Sequence, residues 1–286
     1  METRAINNRY EFVIIFDVEN GNPNGDPDAG NMPRVDAETG HGIVTDVCLK
    51  RKIRNYVQLV KNDDPPYKIF IKEILNEKLA EAYKENNIAK KTTKTEEVKI
   101  AQKWMCENYF DVRTFGAVMS TGDYPCGVVR GPIQLNFAKS LDPVASQEIT
   151  ITRMAVTNAK EAGKGETEMG KKSFIPYALY KAEGFISAKL AEDVTGFNDE
   201  DLELFWEAVI NMFEHDRSAS RGKMIVRKLI VFKHESALGN APSHLLLERI
   251  KITRKDEDTP PRQYGDYEIL LSKENLPQGV TVDEKL

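Results

Sequence analysis

The chain has 286 residues, of which 41% are hydrophobic and 30% charged, a balance that suits a folded domain and excludes disordered and fibrous classes. No apolar stretch approaches the ~20 residues that span a bilayer, so we expect a cytoplasmic protein without a membrane partner. Cys48, Cys106 and Cys126 form no CxxC pair, so neither a disulfide framework nor a zinc site is predicted, and no cofactor is expected. The formal net charge of -5 hides an acidic run over 192–216 followed by a basic run over 217–228.

A strand, a long loop and a helix open the chain. Residues 10–18 alternate large apolar side chains, which predicts a largely buried strand. Residues 19–42 contain Asn-Gly, Asn-Pro and Asp-Pro pairs and five glycines, which predicts an unusually long functional loop. Thr45 is predicted to cap a helix that reaches about Lys61. The apolar stripe of this helix consists of Leu49, Ile53, Tyr56, Val57 and Val60.

The middle of the chain is predicted to carry an insertion and a hairpin. Residues 62–110 show helical patterns and are interpreted as a helical insertion. Residues 113–130 are predicted to be a glycine-rich loop, and residues 132–138 a strand. Residues 147–158 alternate like a strand and run into residues 159–172, which lack apolar periodicity, so we expect a hairpin with a mobile tip.

A third strand, a second helix and a fourth strand follow. Residues 173–188 are strand-like, and Asn198 is predicted to cap a helix. A loop over 215–223 leads to a predicted strand over 224–233, and residues 242–286 are expected to form a peripheral tail. The apolar stripe of the second helix consists of Leu202, Phe205, Trp206, Val209 and Phe213.

The order of these elements predicts the fold class. With the insertions set aside, the order is strand, helix, strand, strand, helix, strand (βαββαβ). This is the split-βαβ or ferredoxin-like pattern that RNA-recognition (RRM-like) folds share. We therefore expect an α+β protein in which both helices pack on one sheet.

Two basic clusters are candidates for phosphate binding. Lys50, Arg51 and Arg54 fall within an arc of about 100° near a helix N-terminus, clear of the apolar stripe. Arg217 and Arg221 flank two serines and an alanine in the second loop, where guanidinium groups and backbone amides can meet a phosphate. A solvated basic face explains the first cluster equally well, but two such loops favour a track along a polyanion.

Catalytic alternatives rest on thinner patterns. Asp26 and Asp28 are possible ligands for a nuclease metal, although aspartates in Asp-Pro turns usually serve turn geometry. His41 and His215 lie in the two loops and are possible general bases for RNA cleavage. A calcium loop is disfavoured because Asn31 stands where a bidentate glutamate is required. A phosphate-binding enzyme that uses the glycine loops is a third alternative.

Four long segments resemble one known family. The chain is similar to the guide-RNA (crRNA) backbone subunit of type I-C CRISPR Cascade complexes, in the repeat-associated mysterious protein superfamily. The matching runs are NGNPNGDPDAGNMPRVDAETGHGIVTDVCLKRKIRNYV (20–57), FDVRTFGAV (110–118), KKSFIPYALYKAEGFISA (171–188) and HDRSASRGKMIVRKLIVFKHESALGNAP (215–242).

The resemblance implies an architecture and a set of partners. It implies an RRM-like palm with helical fingers over 62–110 and a protruding thumb hairpin over 140–172. Copies are expected to stack head to tail along one guide RNA, which pairs with a target DNA strand, next to other Cascade subunits. Type III relatives cut RNA with an aspartate after strand 1, but type I relatives are not expected to cut, so no catalytic residue is assigned.

The resemblance also assigns RNA-binding residues. The palm positions that hold the guide backbone in this family correspond here to Arg34, Lys50, Arg51, Arg54, Arg217 and Arg221. Thr45 lies at the helix N-terminus, which is expected to face a phosphate. In the thumb, Met154 or Met169 is expected to wedge between bases, while Lys171 and Lys172 hold the adjacent phosphates.

Overall fold

The computed structural model describes residues 4–153 and 168–286. The predicted wedge residue Met154 and the tip of the predicted thumb lie outside the described residues. The helices are α1 (Asp46–Lys61), α2 (Leu75–Glu85), α3 (Thr95–Asn108), α4 (Phe110–Phe115), α5 (Ala188–Leu190), α6 (Asp199–Asn211) and α7 (Ser243–Leu247). Within the part of the chain that the structure describes, no helix has the length and apolar character needed to cross a membrane.

Among the described residues, the strands form one large sheet and three small ones. They are β1 (Tyr10–Gly21), β2 (Gly25–Asp26), β3 (Met32–Pro33), β4 (His41–Val44), β5 (Gly116–Met119), β6 (Gly127–Arg130), β7 (Ile133–Leu135), β8 (Ala138–Pro143), β9 (Gln147–Arg153), β10 (Glu168–Ile186), β11 (Lys223–His234), β12 (Ile250–Arg254), β13 (Tyr267–Leu271) and β14 (Val280–Glu284).

The large sheet is antiparallel and has β1 near its centre. Its order is β14-β11-β1-β10-β8-β4, and β7 and β9 also pair with β10. Strand β1 is apolar on both faces, because Phe12 and Phe16 enter one core while Val13 and Ile15 enter another. The expected mixed α/β architecture and the buried first strand are therefore confirmed, and the continuous apolar run reflects a sheet that is covered on both sides.

Helices α1 and α6 cover the first face of the sheet. The Phe12 ring packs edge-on against Phe205 and Trp206, at centroid distances of 5.5 and 5.1 Å. Opposite Phe12 in the register stands Gly184, where a Cβ would lie 2.1 Å from the Phe12 ring. Glycine is thus required at this position so that the aromatic cluster can lie flat on β10. The predicted N-cap of α6 is confirmed, since Asn198 forms a capping box.

The C-terminal residues cover the second face of the sheet, and the prediction of a peripheral tail over 242–286 is wrong. Leu246, Ile250 and Tyr267 pack against the outer apolar side chains of β1, β10 and β11 in one buried cluster. Strand β14 pairs with β11 and extends the sheet. The sequence of this segment is rich in charged residues because one side of each of its short strands, β12, β13 and β14, faces solvent.

The helical insertion has its own core. Helices α2 and α3 fall within residues 62–110, as predicted, and pack around Phe70, Tyr83 and Met105. The prediction of a loop over 113–130 is wrong. These residues contain the end of α4 and the β5–β6 hairpin, and Val129 of the hairpin joins this second core.

Two buried charges join the second core to the first. Asp111 is fully buried and accepts hydrogen bonds from Arg54 Nε at 2.7 Å and from the Phe70 and Ile71 amides at 2.7 and 3.0 Å. Arg113 forms a bidentate pair with Asp201 on α6, with N···O distances of 2.8 and 2.7 Å. The run FDVRTF therefore connects α1, α6 and the insertion.

Candidate nucleic-acid interface

The loop after β1 is fastened to the N-terminus of α1. The Thr45 hydroxyl accepts a hydrogen bond from the Cys48 amide at 3.4 Å, which confirms the predicted N-cap. Asn24 Oδ1 accepts from both the amide and the hydroxyl of Thr45, at 3.0 and 2.9 Å. The hydroxyl of Thr45 is therefore engaged within the chain, and the loop is held at a fixed position over the helix.

The second basic loop meets the first at the same place. The backbone amide of Asn22 donates a hydrogen bond to the Ser220 carbonyl at 2.8 Å. A Cβ at Gly21 would lie 1.9 Å from the Arg221 carbonyl oxygen, so only glycine permits this close approach of the two loops. The two loops, which the sequence predicted as separate phosphate sites, thus form one junction next to α1.

A pocket of about 200 Å³ lies at this junction. It is lined by Asn22, Pro23, Asn24, Gly25, Asn31, Cys48, Lys52, Ser220 and Arg221. Burial raises the pKa of the Cys48 thiol, which donates to the Pro23 carbonyl at 3.5 Å and remains protonated. The pocket wall is therefore built mainly from neutral amides and carbonyls, and two cations, Lys52 and Arg221, complete it.

Lys52 is a pocket residue that the sequence interpretation missed. Only 2% of the residue is exposed, and its ammonium group pairs with Asp216, which also pairs with Arg221. Two cations thus share one carboxylate, which leaves a surplus positive charge at the pocket. The sequence did contain a signal for this position of Lys52. Cys48 and Lys52 are four residues apart, so they lie on one face of α1.

The expected basic arc on α1 is only partly present at the surface. Lys50 is 8% exposed and pairs with Asp46 at 2.8 Å, and Arg54 is 7% exposed and pairs with Asp111. The three cations were predicted to form a basic side of the helix, clear of the apolar stripe, but two of them, Lys50 and Arg54, are buried on a second covered side. The reason is the Phe115 ring, which lies 5.7 Å from Lys50 Nζ and 5.1 Å from the Arg54 guanidinium carbon.

Arg51 differs from its neighbours. It is half-buried and makes no ion pair with any residue in 4–153 or 168–286. Partial burial, reinforced by the positive charge of Arg54, lowers the pKa of Arg51 from its ordinary value. A cation that is partly desolvated and unpaired is suited to receive an external anion.

The remaining predicted residues lie around the junction and on the hairpin. Arg34 pairs with Asp26 at 3.4 Å, and its backbone amide donates to the Asn24 carbonyl at 3.1 Å. Arg217 is exposed and pairs with Glu214 at 2.6 Å. On the β9–β10 hairpin, the exposed Lys171 pairs with Glu148 at 2.8 Å, Lys172 is half-buried, and the backbone of Met169 lies within β10.

The candidate catalytic groups are not gathered at the pocket. The Asp26 carboxylate accepts from the Asp28 amide at 3.2 Å, which is turn geometry, while Asp28 is exposed. His41 Nδ1 lies 2.8 Å from the Ser140 carbonyl, and His215 packs against Tyr56. Among the described residues, no group of three or more His, Cys, Asp or Glu side chains is placed to hold a metal ion.

We expect the Arg51→Ala variant to lower the salt dependence of RNA binding by about 0.7 in the slope of log K against log salt concentration, the single-strand value for one phosphate. Arg51 is the member of the basic arc that has no ionic partner among the described residues, so its charge is available to a bound strand. Fluorescence anisotropy across a salt series measures the slope. The Lys99→Ala variant removes an exposed charge on α3 and should keep the wild-type slope; equal slopes in both variants would exclude Arg51 as a contact.

We also expect no cleavage of guide-paired RNA or DNA by the purified chain in magnesium or manganese. The physical reason is that Asp26 is already paired with Arg34 and engaged in its own turn. Gel analysis of labelled strands measures this. Cleavage that is lost in Asp26→Ala or Asp28→Ala, and kept in Asp258→Ala, would establish the ribonuclease alternative.

Comparisons with known proteins identify the family of the chain. Residues 8–272 match the family model described as CRISPR-associated protein Cas7. A curated protein of that name from Haloferax volcanii is 26% identical over 258 residues, which cover 82% of this chain and 72% of the relative. A chain of a solved CRISPR RNA-guided surveillance complex, in a pre-nicking state, shares the fold with a TM-score of 0.51 at 15% identity, and 78% of each chain is covered. The chain therefore belongs to the Cas7 family of CRISPR-associated proteins.

Proposed function

We propose that the chain binds the guide RNA of a CRISPR surveillance complex through its sugar-phosphate backbone. One observation carries the proposal: the loop after β1, the N-terminal half of α1 and the loop before β11 meet at a single junction with surplus positive charge. Arg34 and Arg221 border this junction, and Thr45 anchors its first loop. Arg51 and Arg217 are proposed as further phosphate contacts beside it. Lys50 and Arg54 face Phe115 on another side of α1 and hold the helix in place there.

Backbone recognition suits a subunit that must accept any guide sequence. Basic loops that read phosphate and ribose leave the Watson-Crick edges of the guide free to pair with a target DNA strand. The described residues that line the junction are polar, cationic or small, and none of them is an aromatic side chain on which a base would stack. We therefore assign it to the backbone and not to base readout.

The sheet order supports an RRM-like palm. Strands β11, β1, β10 and β8 lie side by side in that order, with α1 and α6 on one face, as a split βαβ arrangement requires. In this proposal, α2 and α3 form the fingers, and the β9–β10 hairpin forms the thumb. Ile149 and Ile151 of that hairpin are 44% and 48% exposed, so the thumb presents apolar atoms next to Lys171 and Lys172. The predicted wedge residues remain Met154 and Met169.

Several copies are proposed to assemble head to tail along one guide, together with other subunits of a type I-C Cascade. The long matching runs in the sequence support the subtype. A groove of about 710 Å³ between α6 and β14 supports a contact with a basic surface of the next copy. Its acidic lining residues are Glu200, Glu203, Glu207, Asp283 and Glu284.

Co-expression with a matching CRISPR array and the neighbouring subunits tests the proposal. A guide-binding subunit should purify with RNA, show a high 260/280 nm absorbance ratio, and yield guide sequences when the bound RNA is sequenced. A chain that purifies free of RNA under these conditions, and that cuts RNA when metal is added, would contradict the proposal in favour of the ribonuclease.

A further inference from the structure

The junction pocket contains a buried oxygen that has no hydrogen-bond partner in the part of the chain that the structure describes. Asn22 is 7% exposed, and its Nδ2 donates to the Asn31 carbonyl at 2.7 Å, which fixes the orientation of the side-chain amide. Asn22 Oδ1 accepts no hydrogen bond from residues 4–153 or 168–286, although Asn22 lines the pocket. Because buried polar groups are nearly always satisfied, this oxygen calls for a hydrogen-bond donor.

The cations beside Asn22 define the rest of the ligand. Arg221 uses Nη1 for the Asp216 carboxylate and carbonyl, whereas its Nε and Nη2 make no hydrogen bond within residues 4–153 and 168–286. The Arg221 side chain is 38% exposed, so it forms the adjustable wall of the pocket. The site thus offers one neutral acceptor next to guanidinium donors that suit an anion.

These two features together select a particular chemistry. A phosphate alone would set an anionic oxygen against Asn22 Oδ1, where both groups are acceptors. A ribonucleotide unit instead carries a hydroxyl donor, the 2′-OH, on the carbon adjacent to the 3′ phosphodiester. A deoxyribonucleotide keeps the phosphodiester but lacks the donor, so the same pocket would be left unsatisfied by DNA.

We propose that this pocket distinguishes RNA from DNA by accepting a ribose 2′-hydroxyl of the bound strand. The hydroxyl donates to Asn22 Oδ1, and Arg221 contacts the adjacent phosphodiester. The inference rests on the proposed function and adds to it the group on the guide that is recognised. A water molecule would satisfy Asn22 as well, and in that case the strand type would have no effect.

Binding of the full chain to three single strands of one sequence tests the inference. The strands are all-ribose, all-deoxyribose and 2′-O-methyl, the last of which keeps the 2′ oxygen but loses its hydrogen. We expect the ribose strand to bind about 3- to 10-fold more tightly than the other two, the range for one hydrogen bond. This comparison uses the wild-type chain, so it does not depend on the folding of any variant.

The Asn22→Leu variant localises the preference. It removes the acceptor at similar volume, so the ratio of ribose to deoxyribose affinity should fall to about one, whatever the loss of the Asn22 Nδ2–Asn31 hydrogen bond does to both affinities. The matched Asn211→Leu variant on α6 should keep the wild-type preference.

Equal wild-type binding of the ribose and deoxyribose strands would overturn the inference and leave the proposed function standing. A preference that survives Asn22→Leu would overturn it too, since another site would then read the hydroxyl. If the chain bound no strand and purified without guide RNA, the proposed function would fail together with the inference.

Discussion

Replacing Asp111 with alanine should lower the free energy of unfolding by about 3–5 kcal/mol, the range for removing one partner of a buried ion pair. Asp111 is fully buried and satisfies Arg54 and the amides of Phe70 and Ile71. Without it, a buried guanidinium loses its counter-charge and two backbone donors lose their acceptor. The helical insertion should therefore loosen from the sheet before the sheet itself unfolds.

Urea unfolding followed by circular dichroism measures the effect, and hydrogen exchange locates it. Asp64→Ala is a suitable control, because Asp64 belongs to the same insertion and is exposed. The control should change stability by less than about 0.5 kcal/mol, as surface substitutions usually do. A similarly small change in Asp111→Ala would show that the junction between the two cores does not depend on this carboxylate.

The double variant Arg217→Ala, Arg221→Ala should bind guide RNA about 100-fold more weakly than the wild-type chain, or weaker still. Each hydrogen bond to a charged group contributes about 1.5–3 kcal/mol, and 1.4 kcal/mol corresponds to a tenfold change in affinity. The slope of log K against log salt concentration should fall by about 0.7 for each lost phosphate contact. Asp216 keeps Lys52 as a partner in this variant, so the fold should persist.

Lys251→Ala combined with Arg262→Ala provides the matched control, since it removes two exposed cations from the segment that covers the other face of the sheet. Affinity and salt slope should both stay near the wild-type values. If the two double variants lost affinity equally, RNA binding would depend on overall charge and not on the junction.

Elements that are specified by local signals could be predicted from the sequence. The Thr45 cap of α1, the Asn198 cap of α6 and the burial of β1 all appear in the structure as expected. Four members of the predicted stripe of α1 are buried, whereas Val60 is 39% exposed. Each signal lies within a few residues of the element that it defines. The two basic loops could also be recognised, because glycine and arginine spacing is visible along the chain.

What could not be predicted depends on contacts between distant segments. Lys50 and Arg54 were expected at the surface because a helical wheel assumes that one side of a helix is covered. Helix α4 covers a second side of α1, and its Phe115 and Asp111 are about 60 residues away in sequence. Such a contact leaves no trace in the local pattern of α1.

The glycines over 113–130 were misinterpreted for a related reason. Gly116 has a φ of 80° and would place a Cβ 2.3 Å from the Val129 carbonyl oxygen, so it marks a close approach of two strands. Neighbouring Gly131 would place a Cβ 2.2 Å from the Phe115 carbonyl carbon. Here glycine reports tight packing of the β5–β6 hairpin and not a flexible loop.

The central position of β1 has a consequence for biosynthesis. Its partners in the sheet, β10 and β11, begin at Glu168 and Lys223, far downstream of Tyr10–Gly21. Since β10 is complete only at Ile186, about 165 residues of further translation, at ~5–20 residues per second, leave this apolar strand unpaired for roughly 8–33 s. During that interval Phe12–Phe16 is an exposed aggregation-prone segment on the ribosome. Chaperone binding to the nascent chain should therefore raise the soluble yield of the protein.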